Sequence, residues 1–160
     1  MATGLLHLHN LLRWLVLLFA LITIFRTMGG LNGSRPFTAG HRKSALFLMI
    51  CCDIQLLLGL ALYFTGAWGI KNIQNQGMGN VMKDSVSRFF AIEHSVGMLV
   101  AIILVHVGYS ATKKNIADGK KFKRVFWCTL IALIIILATI PWPFRAGIAR
   151  PLFPGMSVGA

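Results

Sequence analysis

Charged residues are scarce in this sequence, and acidic residues are rarer still. Only 12% of the 160 residues are charged, and 4 aspartates and glutamates stand against 16 lysines and arginines. A soluble globular domain carries about twice that charged fraction. The scarcity of charge therefore argues against an ordinary water-soluble domain. The net charge of +12 indicates that part of the surface meets anionic partners.

Common signatures of catalysis and of covalent cofactor attachment are missing as well. The 3 cysteines form no Cys-x-x-Cys-His sequence, which excludes covalent attachment of c-type haem. No zinc-protease motif, phosphate-binding loop, dinucleotide fingerprint or serine-triad motif occurs. An independent enzyme is not indicated, and a redox subunit of one stays open. Cys51, Cys52 and Cys128 lie in apolar runs, where they are interpreted as small buried hydrophobic residues.

Long apolar runs dominate what is present, and the mean hydropathy of the chain is +0.72. The four runs cover residues of about 5–26, 44–66, 89–110 and 122–141. Each is close to the ~20 residues that cross a ~30 Å hydrocarbon core as a helix. Helices satisfy their own backbone hydrogen bonds, which lipid requires. The sequence predicts one all-α domain over residues 1–160, an integral membrane four-helix bundle.

The segments around these runs complete the predicted architecture. The first run lacks a basic leader and a small-residue cleavage site, so we expect it to stay in the protein as a span. Apolar residues at helical spacing predict a short interfacial helix near residues 78–88. Pro141 and Pro143 are expected to end the fourth helix. The tail beyond them is expected to lie against the protein or a partner.

Positive charges are divided unequally between the two ends of the predicted helices. The loops over residues 26–43 and 113–124 carry ten lysines and arginines, whereas the opposite end carries five. By the positive-inside rule the ten-charge end is cytoplasmic, so both termini are predicted on the outer, periplasmic side of a bacterial inner membrane. We expect the basic loops to contact anionic lipid headgroups and not nucleic acid.

Histidines occupy the outer ends of two predicted spans. His7 and His9 lie in the first helix, and His94 lies in the third at the same membrane level. Two imidazoles from facing helices are the axial ligands that a six-coordinate haem iron needs. His9 shares the small and polar stripe of its helix and is the preferred ligand, while His7 is placed at headgroup level. His94 shares a stripe with Gly97, which suits either close helix packing or room for a macrocycle.

Two further histidines suggest a second, less certain pairing. His106 follows His94 by twelve residues, roughly 18 Å along a helix. By depth its natural partner is His41, at the start of the second helix. A second haem between His41 and His106 is one interpretation, and a solvated loop histidine is the commoner outcome for His41.

Other ionisable groups stand inside the predicted spans, where charge is costly. Arg13 lies two turns into the first helix and is expected to contact Glu93, Asp53 or a haem propionate. A buried ion pair that joins helices is the structural alternative. Asp53 and Gln55 are interpreted either as interhelical hydrogen-bonding groups or as part of a proton or quinone site.

Three stretches together resemble a known family. They are GLLHLHNLLRWLVLL from Gly4, DIQLLLGLALYF from Asp53 and IEHSVGMLVAIILVHVG from Ile92. They resemble short four-helix membrane proteins of Bacteroidetes commonly labelled cytochrome b, over nearly the whole chain. The resemblance implies non-covalent haem b, carried by His9 or His7 and by His94. Respiratory dihaem cytochromes space two ligands of one helix more widely than His94 and His106, which argues against two haems.

Three functions compete on the sequence alone. The leading hypothesis is a haem b protein that passes electrons in a respiratory or related chain, with quinone as a conceivable electron partner and other membrane subunits around it. The alternative is a cofactor-free accessory subunit whose histidines and Arg13 only join helices. The third is a small ion or proton pathway built on Asp53, Glu93 and His94.

Overall fold

The computed structural model describes residues 2–156 and contains no strand within that range. The helices, in chain order, are α1 (Ala2–Met28), α2 (Ala39–Thr65), α3 (Ile70–Gln76), α4 (Met78–Lys83), α5 (Ser85–Arg88), α6 (His94–Ala111) and α7 (Asp118–Thr139). A single π-helical turn, Phe89–Glu93, joins α5 to α6 without a break. Four of these helical stretches are long and apolar enough to cross a membrane, as predicted.

The four long helices pack as a ring. α1 contacts α2, α2 contacts α6, α6 contacts α7 and α7 returns to α1. α1 and α6 therefore lie across a diagonal of the bundle. Several helices are longer than the predicted runs. α2, for example, begins at Ala39 and not at residue 44, because the polar residues around His41 continue the helix beyond the apolar run. The all-helical, membrane-type bundle is confirmed, while the side on which the termini lie stays a prediction.

The short helices differ from the single interfacial helix expected over residues 78–88. Two helices, α4 and α5, occupy this segment, and Asp84 separates them. The Asp84 backbone is extended, and its carboxylate accepts a hydrogen bond from the Ser87 amide, which starts a new helix. α3 precedes them and was not predicted, because its IKNIQNQ sequence has little apolar periodicity.

The predicted inward stripe of α1, which begins at His9, is confirmed from Arg13 onward. Arg13, Val16, Ala20, Thr23 and Thr27 are all buried. Leucines and phenylalanines on the opposite face of α1 are exposed, as suits a surface that meets lipid chains. The sequence order of α1 therefore decides which of its side chains reach the bundle interior.

Glycines bring α6 close to α7. A Cβ atom built on Gly97 would lie 2.6 Å from Cγ2 of Thr139, and one built on Gly108 would lie 3.1 Å from Cβ of Cys128. No real side chain tolerates the first distance without movement of Thr139. The small-residue stripe of α6 thus serves close helix packing, which is one of its two predicted uses.

Candidate functional site

The structure brings His9 of α1 and His94 of α6 together across the bundle. Their ring centroids are 6.3 Å apart and their planes are inclined at 66°. The two histidines are 85 residues apart in sequence, so only the diagonal packing of α1 and α6 can juxtapose them. We refer to these two residues as the histidine pair.

His94 is held by the end of α7. Its Nδ1 lies 2.8 Å from the carbonyl oxygen of Thr139. A carbonyl oxygen only accepts hydrogen bonds, so Nδ1 carries the proton and donates it. Nε2 of the neutral ring then keeps a lone pair. A histidine that binds a metal through one ring nitrogen usually donates a hydrogen bond from its second ring nitrogen, often to a backbone carbonyl.

Polar atoms without partners gather around His9. The buried Nδ1 of His9, Oε1 of Gln55 and Nε of Arg13 make no hydrogen bond within residues 2–156. Gln55 donates through Nε2 to the carbonyl oxygen of His9 at 3.0 Å, which ties α2 to α1. Buried polar atoms are normally paired, so three unpaired atoms near one histidine mark a place where a ligand or water is expected.

Arg13 contacts the tail and not the carboxylate that was predicted. Its Nη2 atom donates to the carbonyl oxygen of Leu152 at 2.8 Å, and Nε1 of Trp14 donates to the same oxygen at 3.1 Å. The Phe153 ring stacks on Trp14 with a centroid distance of 5.3 Å. The tail therefore folds back over the outer part of α1, as the sequence suggested, and supplies a neutral acceptor to the buried guanidinium.

The predicted contact between Arg13 and Glu93 is wrong. Glu93 instead binds Arg88, with Nε and Oε1 2.7 Å apart. The π-helical turn explains the exchange, because its i to i+5 periodicity places residues 88 and 93 on one face. Glu93 is exposed on that face, away from the bundle interior. A propionate contact to Arg13 stays a prediction.

The remaining predicted histidines are not part of the pair. His7 is exposed at the surface of α1. His41 lies at the start of α2, where its Nδ1 accepts a hydrogen bond from the Thr38 amide at 3.0 Å and so caps the helix. Its ring also packs edge-on against Phe122, with centroids 4.8 Å apart.

His106 of α6 lies beside Asp53 of α2, which agrees with the interpretation of Asp53 as an interhelical polar group. Its Nε2 lies 3.3 Å from Oδ1 of Asp53. His41 precedes Asp53 by twelve residues on α2, roughly 18 Å along the helix axis. His106 and His41 are therefore not brought together, and the structure offers no support for a second haem between them. The reason is geometric, since His106 meets α2 near its middle and His41 begins that helix.

Two surface clefts lie away from the histidine pair. One, of about 580 Å³, is lined by residues 31–36, residues 117–120 and Lys123 at the basic end of the bundle. The other, of about 340 Å³, is lined by residues of α5, the π turn and the tail, including Arg88 and Arg145. Neither cleft includes His9 or His94.

The centroid distance within the histidine pair is compatible with a bis-imidazole iron site. A bond from imidazole nitrogen to a metal is about 2 Å long. Two imidazoles on opposite sides of one metal ion then have ring centroids roughly 6 Å apart. The observed 6.3 Å matches this spacing. His9 and His94 are thus the residues that would hold haem iron, and Gly59 leaves no side chain between α2 and the His9 ring.

Gln55 was missed as a site residue, although its signal was available. Gln55 is a polar residue in an apolar run, but residues two apart point to different sides of a helix, so its distance from Asp53 does not say which neighbour it meets. Scans of protein-family models, of curated proteins and of solved structures found no match to this chain. The family resemblance therefore stays a prediction, and the geometry of the pair carries the functional argument.

Proposed function

We propose that this chain is a haem b-binding membrane protein that passes electrons in a respiratory or related redox chain, as a subunit of a larger complex. The observation that carries the proposal is the pair of imidazoles, His9 and His94, at a ligand-like centroid distance of 6.3 Å. The unpaired polar atoms beside His9 support it, because they supply hydrogen-bonding capacity that the described residues do not use.

Haem, when bound, supplies one-electron chemistry at its iron. The chain's own residues orient and seal the site. The Thr139 carbonyl holds the Nδ1 proton of His94, and the Gln55 amide fixes the backbone at His9. Arg13 lies one turn along α1 from His9, and its Nε donates no hydrogen bond within residues 2–156. This donor would suit a propionate carboxylate.

An absorption spectrum tests the proposal directly. The full-length protein, purified in detergent from haem-replete cells, should show a Soret band, and a sharp α-band should appear on reduction with dithionite. If His9 and His94 hold the haem iron, two imidazole ligands would give a low-spin spectrum. A protein that binds no haem, either as purified or after titration with haemin, would refute the proposal.

The orientation of the bundle is part of the same proposal. We place the basic loops over residues 26–43 and 113–124 in the cytoplasm of a bacterial cell, since they carry ten of the positive charges. In a variant without the native cysteines, Asn115→Cys should resist an impermeant thiol reagent in intact cells and react after lysis. Equally fast labelling in intact cells would reverse the orientation.

A cofactor-free accessory subunit is the second candidate, and one observation favours it. Thr139 occupies the space in front of Gly97, so α6 and α7 are closely packed beside the histidine pair. An edge-on contact at 6.3 Å is also a common aromatic packing distance. If the chain is such a subunit, His94→Ala should lower the thermal stability of a protein that binds no haem. The haem hypothesis instead requires that the wild-type protein show the Soret band and the α-band.

A further inference from the structure

Two prolines follow the end of α7, in the sequence LATIPWPFR over residues 137–145. In a helix each carbonyl oxygen accepts a hydrogen bond from the backbone N–H four residues later. The fourth residue after Leu137 is Pro141, and the fourth residue after Thr139 is Pro143. Proline has no N–H. Two of the last three carbonyl oxygens of α7 therefore have no donor at the position where a continuing helix would supply one.

Pro141 also turns the chain out of the helix one residue earlier. A residue that precedes a proline is disfavoured in the α conformation. Ile140 is accordingly extended, with φ −70° and ψ 134°, although its own N–H still bonds to the carbonyl oxygen of Ile136 at 2.9 Å. The turn at Ile140 leaves the end of α7 open to side chains of neighbouring segments.

The tail itself supplies donors to two of the last three oxygens. Nε1 of Trp142 donates to the carbonyl oxygen of Leu137 at 2.8 Å, and Nη1 of Arg145 donates to that of Ala138 at 2.9 Å. The Arg145 guanidinium also lies over the Phe89 ring, with Cζ 4.8 Å from the ring centroid. The tail therefore caps the helix from which it comes and contacts the π-helical turn that leads into α6.

The last oxygen, that of Thr139, accepts its hydrogen bond from another helix. Nδ1 of His94 lies 2.8 Å from it. The Thr139 hydroxyl group points back along α7, where it donates to the carbonyl oxygen of Ile135 at 2.7 Å. A backbone N–H at position 143 would compete with the imidazole for the Thr139 oxygen, and Pro143 removes that competitor.

We propose that Pro141 and Pro143 position His94: they keep the Thr139 carbonyl oxygen free for the Nδ1 proton, which leaves Nε2 as the iron-binding atom. The assignment of iron rests on the proposed function, whereas the tautomer of the ring does not. A hydrogen bond from Nδ1 raises the basicity of a histidine that ligates a metal. A more basic ligand favours ferric over ferrous iron, so the two prolines lower the reduction potential of a bound haem.

The ring proton of His94 tests the first step in the full-length protein as purified. Magnetic resonance of isotope-labelled histidine reports which ring nitrogen carries the proton, and His94→Gln assigns the signal. Reduction with dithionite makes any bis-imidazole haem diamagnetic, so the same measurement serves with or without haem. Wild-type His94 should carry its proton on Nδ1, in slow exchange with solvent because the hydrogen bond is inside the bundle. A wild-type ring protonated on Nε2 instead would overturn the proposal.

Pro141→Ala combined with Pro143→Ala tests the prolines themselves. The helix can then continue, and new N–H groups at these two positions take carbonyl oxygens of α7. The Nδ1 proton of His94 should exchange roughly tenfold faster, as expected when one buried hydrogen bond is lost. Pro143→Ala alone should change this rate little, since Pro141 still keeps Ile140 out of the helix.

Pro151→Ala combined with Pro154→Ala is the matched control. These two prolines belong to the same tail, but neither is four residues from a carbonyl group of α7. The control should leave the exchange of the His94 proton unchanged. Equally fast exchange in both double variants would show that a loosened tail, and not the new N–H groups, exposes the ring, and would refute the proposal. An unchanged His94 proton in the Pro141 and Pro143 variant would refute it as well.

The midpoint potential separates this inference from the proposed function. In a protein that binds haem, the Pro141 and Pro143 variant should shift to a higher potential than the wild type, and the control should not. Equal potentials in haem-containing wild type and variant would refute the effect on iron. A wild type without haem would refute the proposed function, and the ring-proton measurement on the same sample would still decide the role of the prolines.

Discussion

α6 carries two histidines in opposite environments. His94 points into the bundle toward His9, whereas His106 lies on the outer surface beside Asp53. Twelve residues separate them, which rotates the second roughly 120° around the helix from the first. One helix therefore presents the same side chain to a protein interior and to the lipid-facing surface.

The difference lies in what the ring nitrogens contact. His94 uses one nitrogen on a neutral carbonyl and keeps the other available for a metal. Both nitrogens of His106 lie close to other polar atoms, Nδ1 at 3.0 Å from the carbonyl oxygen of Ile102 and Nε2 at 3.3 Å from Oδ1 of Asp53. Two histidines of one helix thus have different surroundings, as expected from the assignment of His94 and not His106 to the outer site.

The largest expected effect separates these two histidines directly. His94→Ala or His9→Ala should abolish the α-band, or convert the site to high spin, because an axial ligand is lost. His106→Ala should keep the full amount of haem per chain, and so should His7→Ala, a matched change two residues from His9. Haem content by the pyridine haemochrome method measures all four variants. Equal haem loss in His106→Ala would remove the distinction between the two regions.

The close packing beside His94 gives the next largest effect. Gly97→Ala places a Cβ atom 2.6 Å from Cγ2 of Thr139, and overpacking of this kind costs about 1 to 3 kcal/mol. Thr139→Ser removes that methyl group, so the double variant should recover most of the lost thermal stability. Gly79→Ala, with nothing within 4 Å of its added atom, is the control. A Gly97→Ala protein as stable as the wild type would show that α6 and α7 are not tightly packed there.

Much of the architecture was predictable because lipid imposes simple rules. Four apolar runs specified four helices, and the small and polar stripe of α1 specified its buried face. His9 and His94 were matched by depth alone, and the structure does bring them together. Depth is predictable because all four spans share one pair of membrane surfaces.

Side-chain partners were harder to predict, since they depend on rotation and on local irregularities. The π-helical turn redirected Glu93 to Arg88, and no feature of the sequence indicates such a turn. Asp53 was considered as a partner of Arg13, but it faces α6 and binds His106. The tail carbonyl that accepts the hydrogen bond from Arg13 is 139 residues away in sequence, so a hydropathy pattern cannot predict this contact.

The Arg13 contact predicts a smaller, local effect. Arg13→Met removes the 2.8 Å hydrogen bond to the Leu152 carbonyl, and such charge-assisted bonds contribute about 1.5 to 3 kcal/mol. Removal of a buried charge offsets part of that loss. We expect backbone amides of the tail to exchange with deuterium roughly tenfold faster, with the four spans still protected. Trp14→Phe, which loses only the 3.1 Å bond and keeps an aromatic ring for Phe153, should have a weaker effect.

If Arg13→Met leaves the tail as protected as in the wild type, the hydrogen bond from Arg13 to the Leu152 carbonyl does not hold the tail in solution. Loss of haem with an unchanged tail would instead indicate that Arg13 contacts a haem propionate, as the sequence analysis predicts. The two readouts therefore decide whether Arg13 belongs to the histidine pair or to the tail.

The smallest expected effect concerns a carboxylate in water, which contrasts with Asp53 in the membrane. The Asp84 carboxylate accepts hydrogen bonds from the side chain and the backbone amide of Ser87, and they hold the pKa of Asp84 below its usual value of 3.8. A lowered pKa means that the ionised form favours the folded state. The stabilisation is complete above pH 3.8 and is lost as the pH falls through the folded-state pKa. Hydrogen exchange should show the Ser87 amide losing protection over that acidic range, while amides in α6 stay protected. Asp84→Asn keeps an acceptor oxygen without the charge, so its Ser87 protection should be lower at neutral pH and nearly independent of acid. Unchanged pH dependence in Asp84→Asn would assign the effect to another group.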